Sequence, residues 1–178
     1  MEEVGGRNES PAGAAVSLHP EVRGVRAVLF DVGGTLLHPD WERLARLAEA
    51  EAGRALGSVE LQRAFKDLIR RVDVAMCDGS PLPYDTGRRG WVFQSMYGAL
   101  GLDDESCARL SLTVDAAHAE RHLWCGLDGD APRVLDALRA AGFAVAAISN
   151  TEDGRLEELL EMAGLGQKFD FALDSFHV

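Results

Sequence analysis

The feature that most constrains this chain is residues 26–37, which read Arg-Ala-Val-Leu-Phe-Asp-Val-Gly-Gly-Thr-Leu-Leu. An unbroken apolar run, Ala27 to Phe30, ends on a carboxylate, Asp31, and Gly33-Gly34-Thr35 follow at once. Four apolar residues rich in β-formers beside turn signals predict a strand buried on both faces, as in a parallel sheet flanked by helices. Open α/β sheets bind ligands outside the carboxyl ends of their strands. A strand that delivers Asp31 into a glycine turn therefore makes it a candidate for chemistry. The plainer alternative is a carboxylate that only hydrogen-bonds the backbone of its own turn.

Residues 143–148 form a second continuous apolar run, bounded by Gly142 and by Ser149-Asn150-Thr151, and predict a second buried parallel strand. Between the two runs the apolar residues fall at helical spacing. Positions 41, 44, 45, 47, 48, 52 and 56 share one face, with Asp40 placed to cap the start and Gly57 to end the run. Ser58 opens a second helix over 59–76, and further helices are expected over 90–100 and 103–122. After Asp128-Gly129-Asp130 come an amphipathic helix over 131–141, the second strand, a helix over 152–163 and a short third strand over 169–173. This order predicts an α/β fold, a Rossmann-like parallel sheet with a helical block inserted after its first strand. The expected organisation is a disordered tail over 1–24, an α/β core built from 25–37 and 126–178, and a helical insert over 38–125.

Composition narrows the function. A net charge of -11 leaves little positive surface for a phosphate backbone, which argues against nucleic acid as a partner. No apolar run is long enough to cross a bilayer, so no membrane partner is expected. Residues 1–24 lack the apolar core of a signal peptide, and a cytoplasmic protein is expected. Cys77, Cys107 and Cys125 are odd in number and lack Cys-x-x-Cys spacing, which fits reduced thiols, mostly in the core. Nothing in the sequence fixes the oligomeric state.

Asp31 with Thr35, and Ser149 with Asn150, stand at the ends of two strands that a parallel sheet brings to one edge. A carboxylate nucleophile would then face a hydroxyl and backbone amides suited to an oxyanion or phosphate. Ser149 could also cap the helix that follows. At these residues the sequence resembles the haloacid dehalogenase-like (HAD) hydrolase superfamily. Phe30-Asp31-Val32-Gly33-Gly34-Thr35-Leu36 looks like its first motif and Ile148-Ser149-Asn150-Thr151 like its second. The inserted helices look like its helical cap. Gly142-Phe143, Ala163-Gly164-Leu165 and Phe169-Asp170 follow the family's run beyond the second motif, so the resemblance covers about residue 25 to the end. It implies a magnesium-dependent phosphatase that acts on a small-molecule phosphate ester through an aspartyl-phosphate. On that resemblance Asp31 is the nucleophile and Thr35 supports it. Ser149, Asn150 and Gly34 hold phosphoryl oxygens, and Asp31 binds Mg2+ with the Gly33 backbone carbonyl.

Two departures from the resemblance carry weight. The family's phosphatases have a second Asp where this chain has Gly33, and that side chain does general acid–base work worth about 10²–10⁴-fold. Glycine cannot supply it. His38 and Asp40 are candidate replacements, with a loop residue and a helix cap as their plainer roles. Family members also continue to a Lys and an acidic metal pair, whereas here Lys168 comes too early and Asp170 and Asp174 match no acidic metal motif. The resemblance therefore implies a C-terminally truncated chain that is inactive or nearly so. Alternatives stay open: a non-catalytic HAD-like phosphate-binding or scaffold module, a haloacid dehalogenase, or an actin-like sugar kinase. In the kinases the glycine loop joins two strands, whereas Pro39 and a helical pattern follow here. His118 and His122 stand four apart, a spacing that can hold a metal, though a solvated helix face is the plainer expectation. Arg88 and Arg89 could reach an anion from an exposed loop. Trp41, Trp91, Phe93, Tyr97 and Trp124 are expected in the core of the helical block.

Overall fold

The computed structural model describes residues 24–82 and 90–178, so Arg88, Arg89 and all of the expected tail but Gly24 lie outside the described residues. The elements run β1 (Ala27–Phe30), β2 (Leu37–His38), α1 (Trp41–Ala52), α2 (Ser58–Asp78), α3 (Trp91–Ala99) and α4 (Asp104–Glu120). Then come β3 (Gly126–Leu127), α5 (Ala131–Ala140), β4 (Ala144–Ser149), α6 (Leu156–Met162) and β5 (Phe171–Asp174). The fold is α/β, as the sequence predicts.

β1, β4 and β5 make a parallel sheet in the order β1-β4-β5, with Phe30 beside Ala147 and Ala147 beside Ala172. Side chains alternate along a strand, and the helices cover one face only. Phe30, Val145, Ala147 and Ala172 pack there against Leu135 of α5 and Leu156, Leu159 and Leu160 of α6. Leu135 and Leu156 are almost wholly removed from water, each worth about 1.5–3 kcal/mol. The expectation that β1 is buried on both faces is corrected. Among the described residues it has a neighbour on one side only, and Leu29, on the face away from the helices, is 59% exposed. Phe171 and Leu173 share that open face.

The helices α1 to α4 bury a second core around Leu44, Leu61, Leu68, Met96, Leu110 and Leu123. In it α1 and α3 each pack against both α2 and α4. Tyr97 is buried there and donates its hydroxyl to the Leu44 carbonyl at 3.1 Å. Asp40 caps α1 by accepting the Arg43 N–H at 3.0 Å. The helix stops at Ala52, earlier than expected, because Gly53 takes a left-handed backbone and returns its N–H to the Glu49 carbonyl. Trp41, Trp91 and Phe93 pack on this core, but Trp124 belongs to the sheet-side core. Of the free thiols only Cys107 is buried; Cys125 is half-buried and Cys77 exposed.

The chain leaves the sheet for the helical block and returns beside itself. β2 and β3 pair antiparallel, Leu37 with Leu127 and His38 with Gly126. The Asp40 N–H donates to the Leu123 carbonyl at 2.7 Å, and Asp128 N–H to the Leu36 carbonyl at 2.9 Å. This double crossing holds the helical block over the carboxyl ends of β1 and β4.

Candidate active site

The turn after β1 is built by its backbone. The N–H groups of Thr35, Leu36 and Leu37 converge on the Val32 carbonyl at 3.3, 2.9 and 3.0 Å, while Gly34 N–H donates to the Leu37 carbonyl at 2.7 Å. Gly34 sits at φ +82°, a left-handed conformation that favours glycine. The turn swings Thr35 back toward the strand end, where its hydroxyl donates to Asp31 Oδ2 at 3.0 Å. The Gly33 carbonyl accepts none of the turn's hydrogen bonds. A Cβ at position 33 would meet only the Trp124 ring, at 3.9 Å.

The second strand end is held differently. The helix expected from 152 begins at Leu156, because side chains fix the intervening loop. Asp174, buried at the end of β5, accepts the Thr151 hydroxyl at 2.6 Å and the N–H groups of Phe176, Leu156 and Thr151 at 3.1, 3.3 and 3.4 Å. Burial pushes the Asp174 carboxyl up, but these donors outweigh it and hold the group below the usual carboxylate range. Thr151 Oγ1 in turn accepts Gly154 N–H at 2.9 Å. Ser149 is therefore not the cap of α6, whose first turn is satisfied in part by Asp174. The sequence gives no spacing signal for Asp174 holding the loop after β4, since Leu156 and Thr151 lie 18 and 23 positions away.

Asp31 and Gly33 from the first strand end, and Ser149, Asn150 and Thr151 from the second, line one cavity of about 320 Å³. Its far wall comes from the helical block, with Val92 and Phe93 of α3, Val114, Asp115 and His118 of α4, and His122, Leu123 and Trp124 just beyond. Thr35 and Gly34 face a second cavity, shared with His38, Trp41, Phe65 and Lys66, with Gly33 and Trp124 forming the partition. Thr35 still reaches Asp31 through its hydroxyl. Gly34 is not among the residues lining the first cavity, and its N–H donates to the Leu37 carbonyl, which shapes the turn. His38 lies 3.7 Å from Asp128, and neither it nor the α1 cap Asp40 lines the cavity with Asp31. Lys168 pairs with Asp136 at 2.6 Å, at the surface.

His118 and His122 depart most from expectation. They are not a solvated helix face. His122 is buried, and both Nε2 atoms converge on Asp153 Oδ2, at 3.1 Å from His118 and 3.8 Å from His122. The three ligand atoms lie within 4.8 Å of one another, close enough to suggest a metal. The backbone argues otherwise. Leu123 N–H donates to His118 Nδ1 at 3.3 Å and Trp124 N–H to His122 Nδ1 at 3.2 Å. A neutral ring that accepts at Nδ1 carries its proton on Nε2, leaving no Nε2 lone pair for a cation. Burial and the neighbouring His118 push His122 down to about 4, despite Asp153 beside it. Burial pushes the Asp153 carboxyl up, but the His118 hydrogen bond outweighs it, and Asp153 stays below its ordinary range. Since His122 is uncharged above about pH 4, the His118 hydrogen bond rather than a His122 charge holds Asp153 ionised at neutrality. The i, i+4 spacing pointed to the pair; nothing in sequence pointed to Asp153.

With this geometry in place, the chain belongs to the haloacid dehalogenase-like hydrolase family, whose model matches residues 25–178. Among solved structures it is similar to the putative HAD-hydrolase YfnB from Bacillus subtilis bound to magnesium, with a TM-score of 0.54 at 18% identity over 86% of this chain and 64% of that one. It is similar to a hydrolase from Streptococcus pneumoniae TIGR4, with a TM-score of 0.53 at 15% identity over 86% and 68% of the two chains. A predicted phosphoglycolate phosphatase from Haemophilus somnus 129PT gives 0.51 at 15% identity over 86% and 64%. The chain thus spans about two thirds of the length of these relatives. No curated protein matches it in sequence. Among the described residues no helix is long and apolar enough to cross a membrane.

Proposed function

We propose that this protein is a magnesium-dependent phosphatase of small organic phosphates, working through an aspartyl-phosphate on Asp31. The observation that carries the reading is the shared cavity: a carboxylate held by Thr35 at one strand end, and a hydroxyl and an amide from Ser149 and Asn150 at the next. Asp31 Oδ attacks phosphorus while Ser149 and Asn150 hold the phosphoryl oxygens, and water later hydrolyses the acyl phosphate. The Thr35 hydroxyl engages one carboxylate oxygen, Oδ2, and the other is left to attack.

The residues present suit a divalent cation. Four carboxylates, Asp31, Asp115, Glu152 and Asp153, line the cavity, and no Lys or Arg does among the described residues. A dianionic phosphate would be repelled there unless a cation neutralised it. Asp31 and the uncommitted Gly33 carbonyl are the hard oxygen donors that would hold magnesium. Bound there, the ion would screen the charge between carboxylate and phosphoryl oxygens. The structurally similar YfnB is bound to magnesium, in keeping with that donor set.

One observation favours a second reading: Gly33 brings no acid–base side chain, as expected of a phosphate-binding module without turnover. For the 178 residues alone, with no cavity Lys or Arg among the described residues, little or no turnover is expected. Hydrolysis of p-nitrophenyl phosphate by the full gene product, with and without Mg2+ and with Asp31→Asn, separates the two readings. Magnesium-dependent turnover lost in Asp31→Asn supports the phosphatase; phosphate binding without turnover supports the module.

A further inference from the structure

We infer that the substrates of this site are aryl phosphates, esters whose leaving group departs as a phenolate without being protonated. This rests on the phosphatase reading above and deepens it. The first ground is the absence of an acid where one is needed. Position 33 has no side chain, Asp115 and Glu152 bring two further carboxylates to the cavity from α4 and the loop after β4 and not from the turn beside Asp31, and Asp153, His118 and His122 are committed elsewhere. Asp153 is ionised and already bound by His118. His118 gives its Nε2 proton to Asp153 and receives Leu123 N–H at Nδ1, so both ring nitrogens are engaged inside the protein. His122 is a neutral ring, locked by Trp124 N–H with its proton on Nε2, and a neutral imidazole is no acid near pH 7. His38 and Asp40 lie outside the cavity.

Leaving-group chemistry then decides what can be cleaved. A phenol ionises near pH 10, as tyrosine does, whereas an alcohol, like water, ionises only far above that. An alkoxide must be protonated as it leaves; a phenolate need not be. In the step itself Asp31 Oδ forms a bond to phosphorus and the phosphorus–aryl oxygen bond breaks. The electron pair departs on the phenolate, which takes its proton from bulk water afterwards. In the second step water attacks the acyl phosphate, its proton passes to solvent, and inorganic phosphate and the Asp31 carboxylate are released.

The second ground is the apolar lining of the cavity. Phe93 and Trp124, with ring centroids 6.4 Å apart, stand with Val92, Val114 and Leu123 against the cavity. That surface suits a flat apolar ring and offers little to the hydroxyls of a sugar. At about 320 Å³ the cavity is at the lower end of the roughly 300–1,000 Å³ seen for ligand sites, room for one ring and a phosphate.

The test compares kcat/KM for phenyl phosphate and for an alkyl phosphate of similar size, glycerol 2-phosphate, with the full gene product, the Gly33→Asp variant and Gly33→Asn as its uncharged twin. Position 33 does not have a left-handed backbone, and a Cβ there meets only Trp124 at ordinary contact distance, so either side chain can be accommodated. The expected result is a preference for phenyl phosphate of at least about 10²-fold, the lower end of what general acid catalysis supplies. Gly33→Asp should raise the ratio of alkyl to aryl turnover by about that factor and owe its effect to the carboxyl, since Gly33→Asn should not reproduce it. Comparable turnover of both esters by the unaltered protein, lost in Asp31→Asn, would overturn the inference and leave the phosphatase reading standing. No turnover of either ester by the unaltered protein or by Gly33→Asp would overturn both.

Discussion

His122 should make the fold sensitive to acid in a way that can be read directly. It is 6% exposed and held near 4 by burial and by His118, against about 6.5 for the unfolded chain. A base whose folded pKa lies below its unfolded value leaves the unfolded chain holding more protons between those two values. Stability therefore falls as pH drops from about 6.5 to about 4, and falls no further from this source below that. A gap of about 2.5 units at 1.36 kcal/mol each amounts to about 3 kcal/mol in full, of which about 2 is lost between pH 7 and pH 5. The groups that act on His122 are His118, Asp153, Arg155 and Glu158. His122→Gln removes the titration and keeps an oxygen that can accept the Trp124 N–H. Urea unfolding of both proteins at pH 7 and pH 5 gives the comparison. Asp153 and Asp174 also lose stability as pH falls, since their carboxyls are held low, but they titrate in both proteins and largely cancel. The unaltered protein should lose about 2 kcal/mol more than His122→Gln over that interval. Equal losses, within about 0.5 kcal/mol, would refute the buried, neutral His122 described here.

Two further substitutions probe the strand ends. Asp174→Ala leaves the donors of Thr151, Leu156 and Phe176 without their shared acceptor and should cost about 2–4 kcal/mol, read as a shift of the urea midpoint. A cost under about 0.5 kcal/mol would mean that the loop holds without it. Thr35→Val removes the hydroxyl on Asp31 from an exposed position and should lower kcat about 10–100-fold while the melting temperature stays nearly unchanged. An unchanged kcat would mean that the Asp31 carboxylate needs no such support.

What could be read from the sequence was local in origin. The apolar run into Asp31 and the Gly33-Gly34-Thr35 turn declare themselves within ten residues, because strand period and the φ +82° demand at Gly34 are local facts. The helical faces around Leu44, Leu61 and Leu68 were legible for the same reason, and so was the Asp40 cap. The exposure of Leu29 was not, since the number of neighbours a strand has is decided by the rest of the sheet. Nor was the late start of α6, where Asp153 accepts Arg155 N–H and Asp174 holds Thr151 and Leu156, so that side chains and not propensity set the boundary. The pairing of His118 with Asp153, 35 positions away, exists only once α4 is set against the loop after β4. Position 33 was readable in both respects, as the absence of an acid and as a place for one, because glycine's lack of a side chain is visible without coordinates.

A phosphoryl group carried on the carboxylate at the end of β1 would be the direct sign of catalysis by Asp31. The full gene product, incubated with phenyl phosphate and Mg2+, quenched in acid, digested and analysed by mass spectrometry, should show a phosphoryl adduct on the peptide containing Asp31. The adduct should be labile to hydroxylamine, as an acyl phosphate is, and missing from Asp31→Asn. A protein that turns the ester over while carrying no adduct, or carrying it on another residue, would contradict the account.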